Sequence, residues 1–137
     1  MRAMLYTAID HPAISCRDVN RMIDWYCKHL GMQLVMSNGE NPPSVLLGYD
    51  KNLAGGAKIE LMPVRDAGAD PDTFARFQPG LRHVALRVSN FDQAYEALKK
   101  LGVTFLFEPG TAVGGGKIVS FRDPEGNELQ IVERSAG

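Results

Sequence analysis

LRHVALRVSNFDQAYEALKKLG, residues 81–102, repeats the plan of IDHPAISCRDVNRMIDWYCKHLG, residues 9–31, and that repeat decides the fold. His83 follows His11 by 72 positions. In the first copy Val19, Met22, Ile23, Tyr26 and Leu30 make one apolar helical face, and Phe91, Ala94, Tyr95 and Leu98 stand 72 positions on from its first four members. Asp18 or Asn20, and Asn90 or Asp92, are candidate caps at the helix starts. Gly31 and Gly102 are candidate stops. A strand residue, a helical face and a stop signal that match together indicate an internal duplication.

Working outward, each copy reads as a strand, a helix and three strands. The strands of the first are expected at 9–16, 32–37, 44–48 and 57–64, and those of the second at 81–88, 103–108, 117–122 and 128–133. Asp123-Pro124-Glu125-Gly126 has turn residues and is expected to join the last two as a hairpin. Module one thus runs from about 7 to 64 and module two from 81 to 134. The stretch 65–80, rich in Asp, Pro and Gly, reads as a linker in which Asp70-Pro71 starts a short helical turn. The predicted class is α+β: two tandem βαβββ modules within a single domain of 1–137, whose curved half-sheets are expected to enclose a cleft.

Strand parity places the chemistry. Successive strand residues point to opposite faces. His11, Ala13 and Ser15 oppose Pro12, Ile14 and Cys16, and His83, Ala85 and Arg87 oppose Val84, Leu86 and Val88. Glu60 and Met62 oppose Ile59 and Leu61, and Glu128, Gln130 and Val132 oppose Leu129 and Ile131. One face of each strand is aliphatic and suited to lie under a helix, while the other carries a histidine or glutamate. The His-to-Glu intervals are 49 and 45 residues. A carboxylate inside a strand is costly to bury unless it is paired or binds a metal. His11, Glu60, His83 and Glu128 therefore read as ligands of one divalent metal, with Zn, Ni, Co, Fe and Mn all compatible with N and O donors.

Other residues have plainer readings. His29, after Lys28 at the end of the first helix, complements the helix dipole. Cys16, on an aliphatic strand face, reads as a buried thiol. Gly114-Gly115-Gly116 lacks the strand-to-helix setting of a phosphate loop and reads as an ordinary loop. Arg87 lies on the His83 side, where a guanidinium either grips a carboxylate or phosphate of a substrate or reaches solvent from the strand end.

Bulk properties bound the function. At 137 residues, 45% hydrophobic and 23% charged, the chain has the make-up of one soluble globular domain. A net charge of −1 without basic runs argues against nucleic acid as a partner. No apolar stretch near the first residues reads as a signal peptide or membrane span, so no membrane partner is expected. Two cysteines fit no disulfide framework and suit a cytoplasmic protein.

The stretches IDHPAISCRDV, WYCKHLGM, LRHVALRV and FRDPEGNELQIVE resemble the vicinal oxygen chelate superfamily, which includes glyoxalase I, methylmalonyl-CoA epimerase, extradiol dioxygenases and bleomycin resistance proteins. The resemblance runs from Ile9 to Glu133. It implies the tandem βαβββ fold as a curved eight-stranded incomplete barrel around a metal cleft, a small-molecule substrate and a homodimer. The His, Glu, His, Glu pattern of His11, Glu60, His83 and Glu128 is similar to that of glyoxalase I. Glyoxalase I carries, where Ser15 stands here, an arginine that holds the glutathione carboxylate; Arg87 is the counterpart of that position in the second module. Ser15 and Arg87 are accordingly the substrate-binding candidates. The expected activity is that of a metal-dependent lyase or isomerase acting on a small α-oxygenated carbonyl compound through a metal-stabilised enediolate. Glu128 first, and Glu60 second, are the candidate proton carriers. The alternatives are an Fe(II) extradiol-type dioxygenase and a non-catalytic protein that sequesters a small molecule.

Overall fold

The computed structural model describes residues 5, 7–64 and 80–134. The chain divides into two compact units, Met1–Ala67 and Gly68–Gly137. The expected linker turn at Asp70-Pro71 lies outside the described residues.

In the first unit β1 (Ala13–Cys16) leads into α1 (Val19–Leu30), followed by β2 (Gln33–Ser37), β3 (Val45–Gly48) and β4 (Ile59–Pro63). The sheet order is β1-β4-β3-β2, with β1 parallel to β4 and the other pairs antiparallel. Of the two candidate caps, Asp18 starts α1: its side chain accepts a hydrogen bond from the Arg21 N–H at 3.1 Å. Gly31 ends the helix at φ 68°, in the left-handed region that glycine enters without a Cβ clash. The predicted apolar stripe is buried at Val19, Met22 and Tyr26, and α1 packs on β2 and β4. Below it lie Cys16, Val45, Leu47, Ile59 and Leu61, all buried. Cys16 is thus the buried thiol that its parity implies. His29 stacks on Trp25 with ring centroids 4.9 Å apart, consistent with a structural residue.

The second unit repeats the order: β5 (Val84–Arg87), α2 (Phe91–Lys100), β6 (Gly110–Thr111), β7 (Lys117–Arg122) and β8 (Glu128–Val132). Its sheet order is β5-β8-β7-β6, again with one parallel pair, β5 with β8. Asn90 caps α2 by accepting from the Gln93 N–H at 3.0 Å. Phe91 and Leu98 are buried from the helix, and Val119, Phe121, Leu129 and Ile131 from the sheet. The hairpin expected at 123–126 is present. The Gly126 N–H donates to the Asp123 carbonyl, and the Asp123 carboxylate accepts from the backbone N–H groups of Glu125 and Asn127.

One expected strand did not form. Residues 103–108 make only a single bridge, Phe105 opposite Phe121, and the edge strand begins later, at Gly110. Since Gly110 pairs with Ile118, residues 106–109 lie opposite only Val119 and Ser120. The surplus residues bulge out of the ladder, and Pro109 among them has no N–H to donate. Phe105 is held instead by its rings, 4.5 Å from Tyr95 and 6.0 Å from Phe121 between centroids. The triple glycine is the turn between β6 and β7. Arg134 secures it by donating to the carbonyls of Val113 and Gly115 at 2.7 and 2.8 Å.

No helix among the described residues is long and apolar enough to cross a membrane.

Candidate metal centre

Both histidines stand just ahead of a strand. His11 precedes β1 behind Pro12, yet the parallel ladder reaches back to it: the Lys58 N–H donates to the Asp10 carbonyl and the Glu60 N–H to the Pro12 carbonyl, each at 2.9 Å. This register brings the two side chains of the first module together. His11 Nε2 lies 3.5 Å from Glu60 Oε1, with the side chains about a third and a quarter exposed. Two ligands at about 2.1 Å from one ion are separated by roughly 3.0–3.5 Å, so this spacing suits a shared cation.

A residue that parity reasoning passed over completes this pair. The Asp10 carboxylate sits 2.7 Å from His11 Nδ1. An ionised carboxylate only accepts, so it calls for the proton on Nδ1; in the neutral ring the lone pair is then on Nε2, and in the imidazolium Nε2 carries a proton turned to Glu60. Carboxylate–histidine pairs of this kind orient metal-binding imidazoles. Asp10 and then Glu60, opposed by partial desolvation, hold the His11 imidazolium above its ordinary pKa. The available signal was an acidic residue directly before the histidine.

In the second module His83 Nδ1 lies 3.9 Å from Glu128 Oε2. The carboxylate is nearly enclosed, 5% exposed, whereas the imidazole is 35% exposed. Ser120, also overlooked by the sequence reading, donates its hydroxyl to Glu128 Oε2 at 2.9 Å, and Gln130 Nε2 donates to Ser120 Oγ at 2.9 Å. These three polar groups are buried together. Both faces of β8 are buried, so the simple alternation of covered and open faces holds for β1 and β5 but not for β8. Arg87 ends β5 opposite Val132, and Ser15 lies opposite Met62 on β4; both are exposed.

The structure therefore brings each histidine to the glutamate of its own module. Among the described residues, no group of three or more His, Cys, Asp or Glu side chains stands together to hold an ion. In chemistry, the N and O donors of each pair, with a carboxylate behind the His11 imidazole, fit a borderline divalent cation.

Residues 8–131 match the model of the glyoxalase/bleomycin resistance protein/dioxygenase superfamily. A lactoylglutathione lyase from Escherichia coli O157:H7 is 31% identical over 130 residues, covering 90% of each chain. Among solved structures, a glyoxylase/bleomycin resistance protein/dioxygenase domain from Frankia sp. EAN1pec superposes with a TM-score of 0.73 at 24% identity, covering 96% of this chain and 95% of that one. The antibiotic-binding protein TnmS3 from Streptomyces sp. CB03234 superposes at 0.67 and 21% identity, covering 97% of this chain and all of that one. At such identities the structural matches speak for the fold, which is the same in these proteins. With a duplicated βαβββ architecture and a family match over almost its whole length, the chain belongs to the glyoxalase/bleomycin resistance protein/dioxygenase superfamily.

Proposed function

We propose that this protein is a metal-dependent lyase or isomerase of the glyoxalase type, acting on a small α-oxygenated carbonyl compound. The observation that carries the reading is the pairing of His11 Nε2 with Glu60 Oε1 at 3.5 Å, backed by Asp10 and echoed by His83 and Glu128 in the repeat. His11, Glu60, His83 and Glu128 would hold the cation, whose chemistry is to polarise a carbonyl oxygen and acidify the adjacent C–H. The protein's own part is to move the proton. Glu128 or Glu60 takes it from carbon as a carboxylate and returns it to the neighbouring carbon as a carboxylic acid. A homodimer, as in the resemblance, is part of this reading.

The test is turnover of hemithioacetals and acyl-CoA esters by purified protein without oxygen. Product formation should stop on chelation and return with added divalent metal. Oxygen uptake with catechols would instead make the protein a dioxygenase. Tight ligand binding that chelators leave unchanged, with no turnover, would make it a sequestering protein.

Arg87 is proposed to hold an anionic group of the substrate away from the reacting carbons. Such a contact stabilises ground and transition states alike, so Arg87→Ala should raise KM with little change in kcat. A charge-assisted contact is worth about 1.5–3 kcal/mol, which corresponds to roughly one to two orders of magnitude in KM. Arg87→Lys should recover part of the loss, because an ammonium cannot make the bidentate contact. An unchanged KM in steady-state kinetics would remove Arg87 from the site.

A further inference from the structure

The strand registers of the two modules give the duplication a finer alignment than the sequence spacing does. In the first module Ala13, two residues after His11, lies opposite Glu60. In the second, Ala85, two residues after His83, lies opposite Gln130. By register the residue equivalent to Glu60 is therefore Gln130. Glu128 instead matches Lys58, which donates its ammonium to the Gly56 carbonyl. The repeat thus carries a carboxylate in one half and an amide in the other at the same structural position.

The hydrogen bonds around Gln130 decide which end of that amide is available. Ser120 has one hydroxyl proton, and its oxygen lies 2.9 Å from both Glu128 Oε2 and Gln130 Nε2. A carboxylate has only lone pairs to offer, so the Ser120 proton goes to Glu128. Ser120 then has only lone pairs left for Gln130, which must present its NH2 end. The Gln130 carbonyl is thus the end of the amide that Ser120 does not engage. In the first module the partners of Glu60 and Gln130 differ as well: Leu46 lies opposite Glu60, where Ser120 lies opposite Gln130. A carboxylate, with two equivalent oxygens, needs no such device.

We infer that Gln130 is the second module's counterpart of Glu60 and offers its side-chain carbonyl as the metal ligand there, while Ser120 and Glu128 form the backing that fixes the orientation of the amide. The assignment rests on the metal-centre reading proposed above and changes one of its four ligands. Ser120 is a positioning residue in this scheme, and Glu128 holds Ser120 in place.

The experiment uses metal-stripped full-length protein and Zn²⁺ as the probe. Gln130→Ala, which removes a ligand, should weaken Zn²⁺ binding by about 100-fold or more in calorimetric titration, and Ser120→Ala should weaken it about 10-fold, within the range for groups that orient a ligand. Gln130→Glu should bind at least as tightly as the unmodified protein. In that background Ser120→Ala should cost less than about 2-fold, since a carboxylate has no wrong end to present. The near-isosteric Gln130→Glu arm keeps the test open should Gln130→Ala fold poorly. Unchanged affinity in Gln130→Ala, or an equal Ser120→Ala cost in both backgrounds, overturns the assignment while leaving the metal reading standing. Absence of Zn²⁺ binding by the unmodified protein would instead sink the metal reading, and with it the ligand role of Gln130. The amide orientation is tested separately, without metal: the Gln130 side-chain NH2 resonances should move in Ser120→Ala, and resonances that stay put refute the orientation.

Discussion

The His11→Ala, His83→Ala double variant is expected to retain no divalent metal through purification and to turn over no substrate above background. Structural metal sites with four ligands bind with about 10–16 kcal/mol, so each ligand accounts for roughly 3 kcal/mol or more, above two orders of magnitude in affinity. Removing one imidazole from each module takes away both nitrogen ligands and leaves only oxygen donors, which suit borderline cations poorly. Both side chains are about a third exposed and precede their strands, so neither substitution opens a cavity in the core. The expected result is thus loss of metal with the fold retained, read by elemental analysis beside the thermal unfolding curve. Full metal occupancy in the double variant would rule out the metal-site assignment. Asp10→Asn offers a graded companion, since it weakens the hold on the His11 ring without removing a ligand and should lower affinity by about 10-fold.

Gly116→Ala is expected to be the most damaging of the small substitutions for stability. Gly116 has φ 98°, and a Cβ there would land on the Glu133 carbonyl oxygen. The obstacle is backbone on both sides. The Gly116 carbonyl accepts from the Ala112 N–H at 2.8 Å, and the Glu133 N–H donates to the Lys117 carbonyl at 3.0 Å, so neither strand end can withdraw without losing a hydrogen bond. Backbone strain of about 1–3 kcal/mol and at least one lost hydrogen bond together suggest about 3 kcal/mol. That corresponds to a fall of roughly 10 °C in Tm for a chain of this size. Gly115→Ala is the control. It shares a positive φ, 91°, but has nothing within 4 Å of its Cβ, so it should cost only the backbone term, about 1–2 kcal/mol. Equal destabilisation by the two substitutions would show that the close approach to Glu133 is not what requires glycine at position 116.

Much of this protein is legible from the order of its residues. The 72-residue repeat, the apolar stripes of α1 and α2, and the caps at Asp18 and Asn90 are local patterns whose periods are those of helix and strand themselves. Parity likewise puts His11 with Glu60, because alternation along two paired strands is enough to choose a face. Where non-local packing intervenes, the reading loses its hold. The strand expected at 103–108 is broken by a bulge that matches Phe105 to Phe121 and then carries Pro109 past the ladder, and no local pattern records the partner strand's position.

The candidate site divides along the same line. Residue order alone determined that there are two His–Glu pairs, on matching strands of a duplicated module, because side-chain type and strand period are local properties. Which carboxylate or amide stands at equivalent places was decided only by tertiary structure. The intervals of 49 and 45 residues favour Glu128 as the mate of Glu60, but loops of unequal length separate histidine from carboxylate in the two copies, so counting along the chain is not a register. The pairing of β5 with β8 sets that register, opposite Gln130, through backbone hydrogen bonds between segments more than 40 residues apart. Ser120 and Gln130 owe their placement to the pairing of β7 with β8, whereas Asp10 adjoins His11 in the chain. A hydrogen bond depends on where two atoms come to rest, and only the folded chain brings Ser120 to Glu128 and Gln130.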